Sequence, residues 1–344
     1  MTAADALLAV MWVGLTAYVL FGGADFGGGF WDLTAGGDRR GYAIRKLVEH
    51  SLGPVWEANH VWLIFVVVIM WTGFPAVFAA IASTLYIPLT LAAVGIIGRG
   101  AAFAFRKVST ELWQQRLFGA IFAASSVLTP MFLGAAAGAV ASGRVPPGNA
   151  RGDVWSSWWN PTSVLTGLLA VALAAYLAAV FLTQDAVRTA PELAEPFRRR
   201  ALAAGVAAGA LSAGGLVVLR VDARALFDEL TGGPSLLLVV GSVAAGIVSL
   251  GLLVARRYVE VRVTAGLAVA AVLWAWGAAQ YPVLLPPALT VSDAQAGSAV
   301  LEATLWTLLV GTVLVVPSLA WLYVLFQRSP TPAAKSPDVG RDRT

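Results

Sequence analysis

The chain has 344 residues, of which 58% are hydrophobic and 12% charged, with a mean hydropathy of +0.77 and a formal net charge of +4. Soluble domains carry roughly 25% charged residues, so lipid is the solvent for most of this chain. That excludes a soluble enzyme, a nucleic-acid binder and a disordered scaffold, and it makes the basic excess a record of membrane topology.

Apolar runs of about 20 residues, long enough to cross a bilayer, fall at roughly 6–30, 53–73, 76–105, 117–141, 161–183, 201–219, 234–255, 263–281 and 299–327. These are nine predicted transmembrane helices. The first follows Met-Thr-Ala-Ala-Asp, with no basic segment before it, and is too long for a signal sequence, so it reads as a retained span. Its glycines, Gly22, Gly23, Gly27, Gly28 and Gly29, predict close helix packing; the alternative is a backbone opening that admits water. Thr72-Gly73-Phe74-Pro75 reads as a tight turn between spans two and three. Pro88 and Pro317 lie within predicted spans and predict kinks. Trp155, Trp158 and Trp159 fit an interfacial belt. Gln280-Tyr281-Pro282 reads as a helix stop, Glu302 as an interfacial acid, and residues 328–344 as a disordered tail.

The connections test the count. With nine spans, one side collects 18 of the 23 basic residues and the other only Arg144, Arg151, Arg220 and Arg224. Basic residues concentrate on the cytoplasmic side, which predicts the N-terminus outside and the C-terminus in the cytoplasm. Arg99 alone lies inside a span. The longest connections are about 20 residues, too short for a soluble domain.

Ionisable residues inside spans are costly and usually functional. Asp25 lies seven residues before Asp32, Glu57 six after Ser51, and Arg99 seven before Arg106. At 1.5 Å per residue, all three sit about 10 Å inside the cytoplasmic interface. Two acids and one base in one layer predict a buried cluster with the charges paired. A structural lock between helices and a proton relay both suit that cluster.

Cysteine is absent and His50 and His60 are the only histidines. Glu57-x-x-His60 is half of a di-iron motif without its second copy. His50 and His60 lie ten residues apart on one chain, which does not suit paired haem ligation. Met70 and Met131 read as packing residues. This chain is therefore expected to bind no redox metal itself.

The stretches Gly22-Gly23-Ala24-Asp25-Phe26-Gly27-Gly28-Gly29, Gly53-Pro54-Val55-Trp56-Glu57-Ala58-Asn59-His60-Val61-Trp62-Leu63, Phe74-Pro75 and Arg99-Gly100-Ala101-Ala102-Phe103-Ala104-Phe105-Arg106 resemble subunit II of cytochrome bd-type quinol oxidases. Asn160-Pro161, Tyr281-Pro282 and Pro317 extend the resemblance over the whole chain, and the Trp-acid-x-Asn-x-x-Trp-Leu motif is its most specific part. The resemblance implies an all-α membrane fold of nine transmembrane helices. They form two four-helix bundles, 1–141 and 142–281, a peripheral ninth helix in 282–327 and a cytoplasmic tail. It also implies a bacterial plasma-membrane complex that oxidises quinol and reduces dioxygen to water. The haems b and d sit in subunit I, small accessory subunits are compatible with the complex, and some relatives hold a structural quinone in subunit II. Asp25 and Glu57 then match a proton-uptake path with Arg99 as charge partner, supported by Trp56, Asn59, His60 and Trp62. Gly22 stands where many relatives carry a first aspartate, leaving Asp25 as the one acid of that motif. A proton-coupled transporter is the rival class; it too would bury acids in a helical bundle, but no repeat relates the two halves.

Overall fold

The structure is a computed structural model that describes residues 2–36, 38–52 and 56–328. Within those segments, the side chains of residues 38–40, 52, 56–58, 107, 112, 315, 316, 319, 320 and 322–328 lie outside the description. The predicted tail beyond Arg328 also lies outside the described residues.

The first span runs as α1 (Ala3–Ala17), a π-helical turn (Tyr18–Gly22) and α2 (Gly23–Leu33). The capping box of Thr2 and Asp5 starts it, each side chain meeting the other's backbone N–H. There follow α3 (Asp38–Leu52), α4 (Trp56–Gly73), α5 (Pro75–Thr84), α6 (Tyr86–Val108) and α7 (Leu112–Ala141). The second half holds α8 (Pro161–Thr189), α9 (Pro191–Asp222), α10 (Arg224–Gly232), α11 (Leu236–Val254) and α12 (Tyr258–Gln280). A small hairpin of β1 (Val283–Leu285) and β2 (Leu289–Thr290), then α13 (Val291–Ala294), leads into α14 (Ser298–Arg328).

Among the described residues, seven helices are long and apolar enough to cross a membrane, or eight if α4 and α5 are one bent span. The ninth predicted run is α14, whose apolar stretch Ser298–Leu314 is shorter. The chain is thus an all-α membrane protein. Three readings change. The predicted continuous span 76–105 is broken at Leu85 into α5 and α6. Pro88 sits in the first turn of α6, where no carbonyl four residues back needs its missing N–H, so the helix starts beside it and is not kinked by it. The predicted connection between spans one and two, 31–52, contains helix α3. Ile44, Leu47 and Val48 fall on one face of it and are buried against α8 and its neighbours. The tight turn at Phe74 is present, with α4 and α5 bent by 119°, and α12 ends at Gln280.

In lipid, helices associate through close packing of small residues rather than water exclusion. Helix α8 is the hub: Ala174 to Val180 are all buried, and α2, α7 and α9 pack around it. A Cβ on Gly27 would run into the Ala174 carbonyl of α8. Cβ atoms on Gly134 and Gly138 of α7 would approach Gly167 and Ser163 Cα of α8 to 2.9 and 2.7 Å. The glycines of the first span therefore serve close packing at Gly27. One buried cluster, with Trp31, Leu177, Phe197 and Val261, gathers at one end of the bundle. A second, with Leu7, Phe74, Val145 and Leu285, gathers at the other.

Candidate functional site

The site begins at the π-helical turn. Such turns break the regular i to i−4 ladder and leave carbonyls in need of donors. Asn59 of α4, itself buried, donates its side-chain amide to the Phe21 carbonyl at 3.3 Å. Three residues beyond the turn, Asp25 is fully buried, with a relative exposure of 0%.

Arg99 of α6 reaches that carboxylate. Its Nη1 and Nη2 donate to Oδ2 and Oδ1 of Asp25, both at 2.7 Å, and Nη2 also donates to the Asp25 carbonyl at 3.1 Å. Nε donates to Ser126 Oγ of α7 at 3.0 Å, and Ser126 passes its own proton to the Phe122 carbonyl at 2.7 Å. The rings of Phe26 and Phe122 lie 5.1 and 4.8 Å from the guanidinium carbon. Gly29 makes room for Ser126, since a Cβ there would collide with the hydroxyl. The pair is bidentate, enclosed and satisfied on nearly every donor, the geometry in which a buried charge pair holds.

The structure thus brings Asp25 and Arg99 together, with Asn59 close by. His60 is half-buried, its ring centroid 5.8 Å from that of Phe26 and 6.4 Å from that of Tyr18. Trp62 lies apart, partly exposed, with its ring 6.2 Å from Phe65. Trp56 and Glu57 begin α4, and their side chains lie outside the described residues.

A second cluster two turns away escaped the sequence reading. Asp32 is buried and accepts from Arg45 Nε of α3 and Arg106 Nη1 of α6, each at 2.9 Å. Asp25 to Asp32 and Arg99 to Arg106 are equal steps of seven residues. The same two helices are therefore bridged twice, in register. The signal was present in those spacings, which served only to measure depth. Two further bridges were also missed. Arg144, in the connection after α7, and Thr162 of α8 converge on Asp222 at the end of α9. Arg262 of α12 holds Asp185 of α8 at 2.6 Å.

Haem ligation calls for an accessible His, Met or Cys side chain. His50 is exposed on α3, and the Met131 thioether lies where a Cβ on Gly167 would meet it at 2.8 Å. Among the described residues, no group of three or more His, Cys, Asp or Glu could hold a metal ion. Between α4 and α14 runs an apolar groove of about 710 Å³, lined by Val61, Ile64, Val68, Val300 and Leu308 among others.

Comparison with known proteins gives one answer. Residues 4–326 match the family described as cytochrome bd terminal oxidase subunit II. The chain is 30% identical over 128 residues to cytochrome bd ubiquinol oxidase subunit 2 of Bacillus subtilis (strain 168), covering 37% of this chain and 36% of that protein. It is 30% identical over 100 residues to cytochrome bd-I ubiquinol oxidase subunit 2 of Escherichia coli (strain K12), covering 29% and 26%. The chain thus aligns with about a third or less of the length of these curated relatives. A chain in the structure of bd oxidase from Geobacillus thermodenitrificans superposes with a TM-score of 0.79 and 26% identity, over 95% of this chain and 99% of that one.

Proposed function

The chain belongs to the family of subunit II of cytochrome bd terminal oxidases, and from that membership we propose that it works as the haem-free subunit of a quinol:oxygen oxidoreductase. In this reading it packs against a haem-bearing subunit I in the bacterial plasma membrane. The partner oxidises membrane quinol and reduces dioxygen to water; haems b and d belong to it. The fold is nine spans in two four-helix bundles, 1–141 and 142–281, with a peripheral ninth helix and a cytoplasmic C-terminus. The 18 basic residues on one side support that orientation.

Asp25 and Glu57 contribute to proton uptake from the cytoplasm, with Arg99 as charge partner. The observation that carries this is the enclosed Asp25–Arg99 pair. An intramembrane acid held at one depth is a functional feature by default. Because Arg99 neutralises Asp25, the second acid, Glu57, is the one left to exchange protons. Asn59 positions Asp25 through the π-helical turn. Trp56, His60 and Trp62 belong to the same sequence motif as Glu57.

The α4–α14 groove suits the polyprenyl tail of a structural quinone. Its wall is apolar, and the hydroxyls of Thr304 and Thr307 are spent on carbonyls of their own helix at 2.7 and 2.8 Å. The groove therefore offers packing for a tail rather than recognition of a head group.

The test is the purified complex. The expected result is a coloured preparation with a copurifying haem protein that consumes oxygen when given quinol. Glu57→Gln should assemble and turn over more slowly, with a shifted pH profile; Asp25→Asn, which leaves Arg99 an acceptor but no countercharge, should turn over more slowly in a complex recovered at lower yield. A colourless, autonomous chain that transports a solute would refute the oxidase reading. Unchanged turnover in both variants would refute the relay.

A further inference from the structure

Seven arginines with described side chains are not fully exposed: Arg45, Arg99, Arg106, Arg144, Arg198, Arg200 and Arg262. Six of them hold a carboxylate within 3 Å: Asp32 serves two, and Asp25, Asp222, Glu195 and Asp185 serve one each. Arg200 is the exception. It has no ion pair among the described residues, and its Nη1 is buried with no hydrogen-bond partner. A half-buried charge without a counter-ion is costly, and the part of this guanidinium that solvent reaches is open to one.

The surroundings narrow what that partner is. The Arg200 guanidinium lies 5.3 Å from the Trp31 ring and 4.9 Å from the Phe197 ring. Trp31 is fixed in turn by donating its indole N–H to the Ala175 carbonyl at 2.8 Å. The rings attract and orient the cation but supply no countercharge. Two described carboxylates, one on its own helix and one beside Trp31, are already committed. Glu195, five residues back on α9, is shared by Arg198, Arg199 and Arg256, and Asp32, next to Trp31, is shared by Arg45 and Arg106.

Arg200 also sits at a boundary in its helix. Before it come Glu192, Glu195, Arg198 and Arg199; after it Ala201 opens the apolar run to Gly215. That boundary is where lipid phosphates lie, on the side where the basic residues collect. A guanidinium recognises phosphate oxygens through a planar fork of N–H groups, and basic pockets between helices on this side take anionic head groups.

We propose that Arg200, backed by Trp31 and Phe197, is a binding site for a phosphate group, and that its occupant is the head group of an anionic phospholipid. The proposal does not depend on the oxidase reading, only on the chain lying in a membrane. The experiment uses the full chain, purified in mild detergent with its partner. Native mass spectrometry counts retained phosphatidylglycerol, and thermal denaturation is followed with added phosphatidylglycerol, phosphatidylcholine or inorganic phosphate. The wild type should keep one phosphatidylglycerol that Arg200→Gln loses, with about tenfold weaker retention in the variant, and Arg200→Lys should fall between. Phosphatidylglycerol, but neither phosphatidylcholine nor inorganic phosphate, should raise the melting temperature of the wild type. If Arg200→Gln does not accumulate, that last comparison on the wild type decides alone. Equal lipid retention in wild type and Arg200→Gln would overturn the proposal. An equal stabilisation by inorganic phosphate would overturn the lipid assignment. So would a variant that keeps its lipid but sheds its partner, because the counter-ion would then be a partner carboxylate.

Discussion

Helices α2 and α6 are bridged twice, and the two bridges are opposites. At the inner one, the side chains of Arg99 and Asp25 are exposed by 2% and 1%, and one cation meets one carboxylate. At the outer one, Asp32 is nearly as buried at 5%, but its two arginines, Arg45 and Arg106, are exposed by 33% and 30%. The chemistry and the spacing are the same; access to water differs. The inner pair has no substitute for either partner, so its strength lies in what breaking it would cost. The outer carboxylate has a spare cation and solvent at hand, so each of its contacts is worth little alone. A dry pair locks the helices, and a wet triad tethers α3 to them.

The sharpest way to break the comparison is to orphan the inner carboxylate. Arg99→Leu should cost about 3–5 kcal/mol, seen as loss of assembled complex, while Asp25→Leu with Arg99→Leu recovers much of it. If the double variant is as damaged as the single, the pair is not an isolated lock. Asp32→Asn should have a middling effect of about 1–3 kcal/mol, because it leaves two cations facing each other at the edge of water; melting of the purified complex measures it. Asn59→Ala, which strips the Phe21 carbonyl of its donor, should cost about 1 kcal/mol in the same assay. It should also slow turnover more than its stability loss explains if the turn positions Asp25. The smallest effect belongs to Arg106→Gln, about 0–1 kcal/mol. That loss should shrink further in 1 M salt, whereas the Arg99 variant should be insensitive to salt.

Much of this was legible beforehand. Asp25 and Arg99 announced themselves because charge inside an apolar run is rare, and their equal depth pointed to a pair. Asp32 and Arg106 carry the same spacing but sit where charge is ordinary, so depth alone did not single them out. What connects them is side-chain reach from α6 to α2, a property of packing. The break at Leu85 was hidden because hydrophobicity runs through it unaltered, and α3 because its charged residues masked the short apolar face of Ile44, Leu47 and Val48. Arg200 was invisible for a different reason. In the sequence it stands beside Arg198 and Arg199, and only the geometry shows that they have Glu195 while it has no such partner among the described residues.

The π-helical turn at Tyr18–Gly22 has a consequence for direction. A regular helix advances by about 100° per residue, and a π turn holds one residue more than an α turn. The extra residue therefore resets the azimuth of everything that follows it. Upstream, Leu7 lies against Gly73; downstream, Asp25 meets Arg99 of α6. Deleting one residue within the turn would leave the upstream neighbours in place and swing the carboxylate roughly a quarter-revolution past Arg99. The bearing of the buried acid is thus set by a count of residues, not by the identity of any one of them.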